Sequence, residues 1–202
     1  MTQETLKSHL DELVLVQTEI VVNCDLLAKN LRFLTRDHGK GVSDVLTGDK
    51  FFVVAGNCMW DILILELFKL FYKKEAYSLS KTLNILIANK KAVKWNHEGD
   101  FSKIDTLKKE MESEEFQKIL FRLNHIRDKK IAHLDRDRFD KEILVNLDQV
   151  QTLITNGQNL LSEINIGLNG IQLLLNMQNI GFCEATIKNL VAYNDLRIDV
   201  SQ

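Results

Sequence analysis

The sequence predicts an all-α protein, an antiparallel helical bundle with long N- and C-terminal helices, and three observations carry that expectation. There is no proline in 202 residues and only 9 glycines, whereas β-rich folds spend both on their many turns. Apolar residues return on alternating three- and four-residue steps at both ends of the chain, the period of a helix face. Hydrophobic residues at 45% and charged residues at 27% are the balance of an ordinary globular protein, long enough here to bury a core. We expect one domain over residues 1–202, with no internal repeat.

Residues 3 to 36 read as one helix, its seam formed by Leu6, Leu10, Leu13, Ile20, Cys24, Leu27, Leu31 and Leu34, with only Gln17 breaking it. The stretch "RDHGKGVSDVLTGD" then reads as a loop. It contains Gly39-Lys40-Gly41 but lacks the full phosphate-loop spacing, so no nucleotide site is assigned to it. Asp49 caps a second helix, roughly 50 to 74, with Phe52, Met59, Leu63, Leu67 and Leu70 on a wide apolar face. Ser78 or Ser80 opens a third, through about Lys91, and "KWNHEGDFS" follows as a loop. Ser102 with Asp105 three residues on gives a weak capping box for a short helix. Ser113 caps another, running through "EEFQKILFRLNHIRDKKIAH" with Phe116, Leu120, Leu123 and Ile126 inward. The last stripe is Leu147, Val150, Ile154, Leu161, Ile164, Leu168, Ile171 and Leu175, weak at Gly157 and open to bending or splitting at Gly167 and Gly170. Residues 183 to 198 complete the set as a short final helix.

Several function classes drop out. Cys24, Cys58 and Cys183 are distant from one another and odd in number, with no CxxC or Cys–His spacing. Neither a zinc site nor a disulfide framework is indicated, and a reducing cytoplasm is the natural compartment. The N-terminus "MTQETLKSHLDEL" has no signal pattern. The most apolar stretch, "FFVVAGNCMWDILILELFKLFY", is interrupted by Asp61, Glu66 and Lys69, so it reads as a core helix with a polar edge, not a membrane span. "DRDRFD" (135 to 140) lacks the glycine and glutamate of a calcium loop. His125, His133 and Asp135 do not make a metal site by spacing alone. No cofactor is expected.

Net charge is −2, but the charges are unevenly placed. Residues 67 to 94 hold seven lysines against one glutamate, and residues 120 to 141 hold seven Lys/Arg against four aspartates. From 142 onward two positive charges face six negative ones. A basic middle of this kind suits phosphates. At its centre stands "RDKKIAHLD", residues 127 to 135. Residues six apart on a straight helix differ by roughly 120° in direction, so Arg127 and His133 converge only if the helix ends or bends near Ala132, or if two copies pair. Arg122, His125, Lys129 and His133 share one face of an ideal helix, and Asn124, Arg127 and Asp128 another. Such groups suit RNA cleavage without a metal. A histidine moves protons to and from ribose and leaving oxygens, an arginine holds the phosphate, and the 2′-hydroxyl is the internal nucleophile. Lys129, Lys130, Arg136 and Arg138 add attraction for the backbone. Trp60 reads as core; Trp95, beside Lys90, Lys91 and Lys94, is the better candidate for stacking on a base.

"RDKKIAH" fits the R-x(4–6)-H motif of the HEPN superfamily, with a polar residue directly after the arginine. The surroundings, "NCMWDILILELFKLFYKK", then "SLSKTLNIL", then the motif extended as "IAHLD", resemble the abortive-infection AbiU-type branch over roughly residues 50 to 140. The resemblance implies a helical bundle that dimerises into one composite cleft and a metal-independent endoribonuclease, often a toxin or phage-defence effector, in some systems with a cognate antitoxin. It implies Arg127 and His133 as the catalytic pair, with Asp128 orienting them; Lys129, Lys130 and Arg136 are the RNA contacts expected from their charge. Some HEPN toxins carry a modifiable tyrosine two residues after the histidine; Asp135 stands there instead. A non-catalytic HEPN-like dimeric binding module is the main rival, a plain helical scaffold the next.

Overall fold

The computed structural model describes residues 2–96, 101–132, 144–173, 175, 186–190 and 192, the side chains of 40, 41 and 130–132 excepted. Among these residues the chain is all helical: α1 (Gln3–Thr35), α2 (Lys40–Gly48), α3 (Lys50–Phe71), α4 (Leu79–Ala88), α5 (Phe101–Met111), α6 (Glu114–Ile126), a π-helical turn (Arg127–Ala132) and α7 (Leu147–Asn169). The helices start where side-chain oxygens can accept the orphan N–H groups of a first turn. Asp49 accepts from the N–H of Phe51 at 2.8 Å, Ser78 from Lys81 at 3.3 Å and Ser113 from Phe116 at 3.3 Å. Asn146 and Gln149 close a reciprocal capping box on α7.

α1 is the spine. It packs along both α3 and α7 and touches α4, while α5 lies on α7 and α6 on α3. Lys7 near the start of α1 reaches Asn169 at the end of α7 (2.7 Å), and Arg32 near its end pairs with Asp148 at the start of α7 (2.9 Å). The two long helices therefore run antiparallel. One apolar core, with Leu10, Leu63, Leu67, Leu153 and Ile154 fully buried, continues through α1 and α3 to α7.

The weak positions in the stripes turn out to be contacts. Gln17 is fully buried; its amide donates to the Tyr77 carbonyl at 3.0 Å and pairs with the Thr82 hydroxyl at 2.8 Å. The break in the seam is thus a polar clamp from α1 to α4. At Gly157 a Cβ would meet Val21 at 3.3 Å and Leu70 at 3.4 Å, so the missing side chain lets α7 approach both neighbours. At Gly167 a Cβ would lie 1.8 Å from the Trp95 ring, which occupies that space. Gly170, at φ 69°, ends α7 in the left-handed conformation that glycine takes without strain. Gly167 leaves the helix unbroken, whereas Gly170 ends it before Ile171, which is exposed, and Leu175, so the expected stripe stops at Leu168.

Three readings need correction, and a fourth is described only in part. The segment 36–49 is not all loop: α2 forms because Val42, Val45 and Leu46 recur on a helical face and pack on a small core of Phe33, Phe52 and Ile187. α3 stops at Phe71 and α4 at Ala88, and Ser102 lies inside α5 instead of capping it. α3 is core only in part: Leu63, Leu67 and Leu70 are buried, but Phe51, Val53, Val54 and Ile62 face outward. By length and composition it is apolar enough to cross a membrane. Of the expected final helix, residues 186–190 and 192 are helical and the remainder lies outside the described residues.

Removing a buried hydrogen-bonding side chain leaves its partners unsatisfied, at about 1–3 kcal/mol. Gln17→Ala should therefore lower the urea midpoint by a stability loss of about that size. In the Gln17→Ala/Thr82→Val double variant the two losses should fall short of additivity, because each single change already breaks the shared bond.

Candidate functional site

α6 keeps α geometry to Ile126, and the motif opens with a change of helix. Arg127–Ala132 forms a π turn, although the Arg127 N–H still closes onto the Leu123 and Asn124 carbonyls. π turns occur mostly as single insertions in α-helices and frequently at functional sites. A helix running through His133, with an end or bend near Ala132 left open, was expected; the structure changes helix type at Arg127, five residues earlier. The constant angular step assumed for the motif therefore ends at Ile126.

Arg127 is half-exposed and held from two sides. Its guanidinium lies 4.3 Å from the centre of the buried Phe68 ring on α3, and its Nη1 pairs with Oδ1 of Asp128. The other oxygen of Asp128 accepts from the Asn124 amide at 3.3 Å. Asn124, Arg127 and Asp128 thus form the cluster that the helix projection anticipated. With both partners more than a third exposed, the ion pair adds little stability. Its effect is orientation: Asn124 fixes Asp128, and Asp128 with Phe68 fixes the direction of the guanidinium.

Phe68 serves a second neighbour. Tyr72 stacks on it at 4.4 Å with 22° between the rings. Tyr72 and Asn124 both line a cleft of about 580 Å³ between the end of α3, α4, α5 and α6. Lys73, Lys74 and the exposed Phe121 stand on its walls as well. Charge counting had marked the window 67 to 94 as basic, but sequence alone does not tell which lysines face the motif. Phe121 gave no signal, because an aromatic outside the inward stripe of a helix looks like ordinary surface.

The remaining expected residues divide clearly. Lys129 is half-exposed on the π turn and engaged by other groups. Lys130 belongs to the same turn, with only its backbone described. His133 and Arg136 lie outside the described residues, as do Asp135 and Arg138. His125 and Arg122 are half-buried in α6. Trp95 is corrected: its indole packs on Phe101 at 4.2 Å and fills the space over Gly167, so it is not available to a base. Among the described residues no group of three or more His, Cys, Asp or Glu side chains is placed to hold a metal. Cys24 is buried, and burial, reinforced by the Glu66 and Asp25 carboxylates, pushes its thiol far above the ordinary range, which makes it an inert core residue.

A helical bundle in which a charged arginine motif interrupts a helix beside a basic, aromatic cleft defines the class of protein. The sequence profile of the HEPN family AbiU2 matches residues 10–179, and the chain belongs to that family. No curated protein and no solved structure matches it.

A cation over an aromatic face contributes about 0.5–2 kcal/mol depending on solvation. A double-mutant cycle with Arg127→Ala and Phe68→Leu should return a favourable coupling in that range by denaturant unfolding. A coupling of zero would mean that the guanidinium is not held on the ring in solution.

Proposed function

We propose that this chain is a metal-independent endoribonuclease of a toxin–antitoxin or phage-defence system, working in the cytoplasm at a composite site between two copies. The observation that supports it most is Arg127. In a HEPN-family chain, six residues before His133, its guanidinium is half-exposed and oriented by Phe68 and Asp128 beside a lysine-bearing cleft.

The chemistry needs few parts. His133 as general base takes the proton of a ribose 2′-hydroxyl as that oxygen attacks the adjacent phosphorus. The new O2′–P bond forms while the P–O5′ bond breaks, and the proton that His133 has taken passes on to the departing 5′ oxygen, which leaves the histidine neutral again. The products are a 2′,3′-cyclic phosphate and a 5′-hydroxyl. Arg127 donates to the non-bridging oxygens, whose negative charge grows in the transition state. Asp128 is a positioning residue: it holds the guanidinium and touches no substrate atom. Lys129, Lys130 and Arg136 bind the flanking backbone, which makes association salt-dependent. Two copies supply two motifs, and pairing brings both into one composite cleft.

Incubated with single-stranded and structured RNA in EDTA, the wild-type protein should leave 2′,3′-cyclic phosphate ends. Arg127→Ala and His133→Ala should each lower the rate by about 10²-fold or more, the scale for a lost proton-transfer or charge-stabilising group, with folding unchanged by circular dichroism. Light scattering should give twice the chain mass. Equal silence from all three folded proteins would turn the assignment to a non-catalytic binding module.

A further inference from the structure

The cleft beside Arg127 has features that the cleavage chemistry leaves unused. Its volume of about 580 Å³ falls within the range of about 300–1,000 Å³ typical of small-ligand pockets. Its character is aromatic and cationic. Phe121 is 68% exposed although it lies on a helix whose inner face is core, and Tyr72, stacked on Phe68, is partly exposed and lines the cleft. Lys73 and Lys74 are exposed at the end of α3 and make no ion pair among the described residues. Lys108 is the exception on the charge side: Glu112, which also lines the cleft, lies 3.8 Å from it and offsets it. Asn84, exposed on α4, offers both an amide donor and a carbonyl acceptor to the interior.

We infer that this cleft holds one nucleotide, its base against Phe121 and Tyr72 and its phosphate on Lys73 and Lys74, and that the nucleotide flanks the one whose phosphate sits on Arg127. The inference rests on the ribonuclease reading for its choice of an RNA strand. Three observations carry it. Exposed aromatics, and lysines with no ion pair among the described residues, stand in one concavity and match the two halves of a nucleotide, a flat π-face and an anion. Ser80, in the first turn of α4, lies on the same wall, where the helix terminus adds positive potential. The cleft and the motif share structure: Phe68 carries Arg127 within 4.3 Å and Tyr72 within 4.4 Å of its ring, and Asn124 lines the cleft while holding Asp128. A strand with one phosphate on Arg127 therefore meets the cleft next. Asn84 then contacts the edge of the seated base, which makes this pocket a source of sequence preference at that position.

The test measures binding apart from cleavage. In the full-length His133→Ala background, a 5′-fluorescein-labelled eight-nucleotide single-stranded RNA is titrated by anisotropy against the parent, Phe121→Ala and Lys73→Glu/Lys74→Glu. These side chains are exposed, so the variants should keep the parent's thermal midpoint. Phe121→Ala should weaken binding by about tenfold, within the range for loss of one base stack. In Lys73→Glu/Lys74→Glu the log–log salt slope should become shallower by about 0.7, one phosphate contact at the single-strand value. Free UMP and AMP form a second arm and should compete only weakly, at millimolar concentration. Parent-like affinity and salt slope in both variants would overturn the cleft assignment even if wild type cleaves RNA. Cleft-dependent binding with no cleavage by wild type would refute the catalytic reading and leave the nucleotide site standing. Tight binding of UMP or AMP without RNA binding would overturn the strand and make the occupant a free nucleotide.

Discussion

Arg127 lying on the face of Phe68 is the contact on which the functional reading depends. A guanidinium is planar and always charged, so it can rest on a ring and still present donors sideways. Here the ring belongs to the well-buried half of α3, and α3 packs along α1, the spine of the molecule. The position of one half-exposed charge is thus referred to the rigid core. Without that reference, Arg127 would be tied only to Asp128 and Asn124 of its own helical segment and not to the core.

The same ring explains why the cleft and the motif belong together. Phe68 closes the core on one edge, supports Arg127 and stacks Tyr72 at the cleft. Asn124 repeats the pattern from α6, with its amide on Asp128 and its side chain at the cleft. Two residues from two helices therefore couple the Arg127 charge to the cleft. For the proposed ribonuclease, this arrangement suits extended single-stranded RNA, whose bases can be splayed out and stacked, better than a duplex whose bases are stacked on each other.

Much of the fold was legible because helix periodicity and capping are local. The seams of α1 and α7, the caps Asp49, Ser78 and Ser113, and the inward face of α6 follow from spacing and side-chain chemistry alone. What was not legible depended on distant partners. Gln17 reads as a flaw until Thr82 and the Tyr77 carbonyl stand opposite it, and α2 reads as a loop until Phe33 and Phe52 cover its valines. Trp95 looked free because the residues around it are lysines, whereas Gly167, far along the chain, is what receives it. For the site, the motif and its Asn124–Asp128 face were readable, but the π turn, the ring beneath Arg127 and the cleft lysines are tertiary facts.

The most direct measurement is a crystal structure of the His133→Ala protein with a short single-stranded RNA bound. The account predicts two copies in contact with a phosphate oxygen within hydrogen-bond distance of the Arg127 guanidinium, which stays over Phe68. RNA bound away from Arg127, or an arginine turned off the ring and wholly engaged by Asp128, would contradict it.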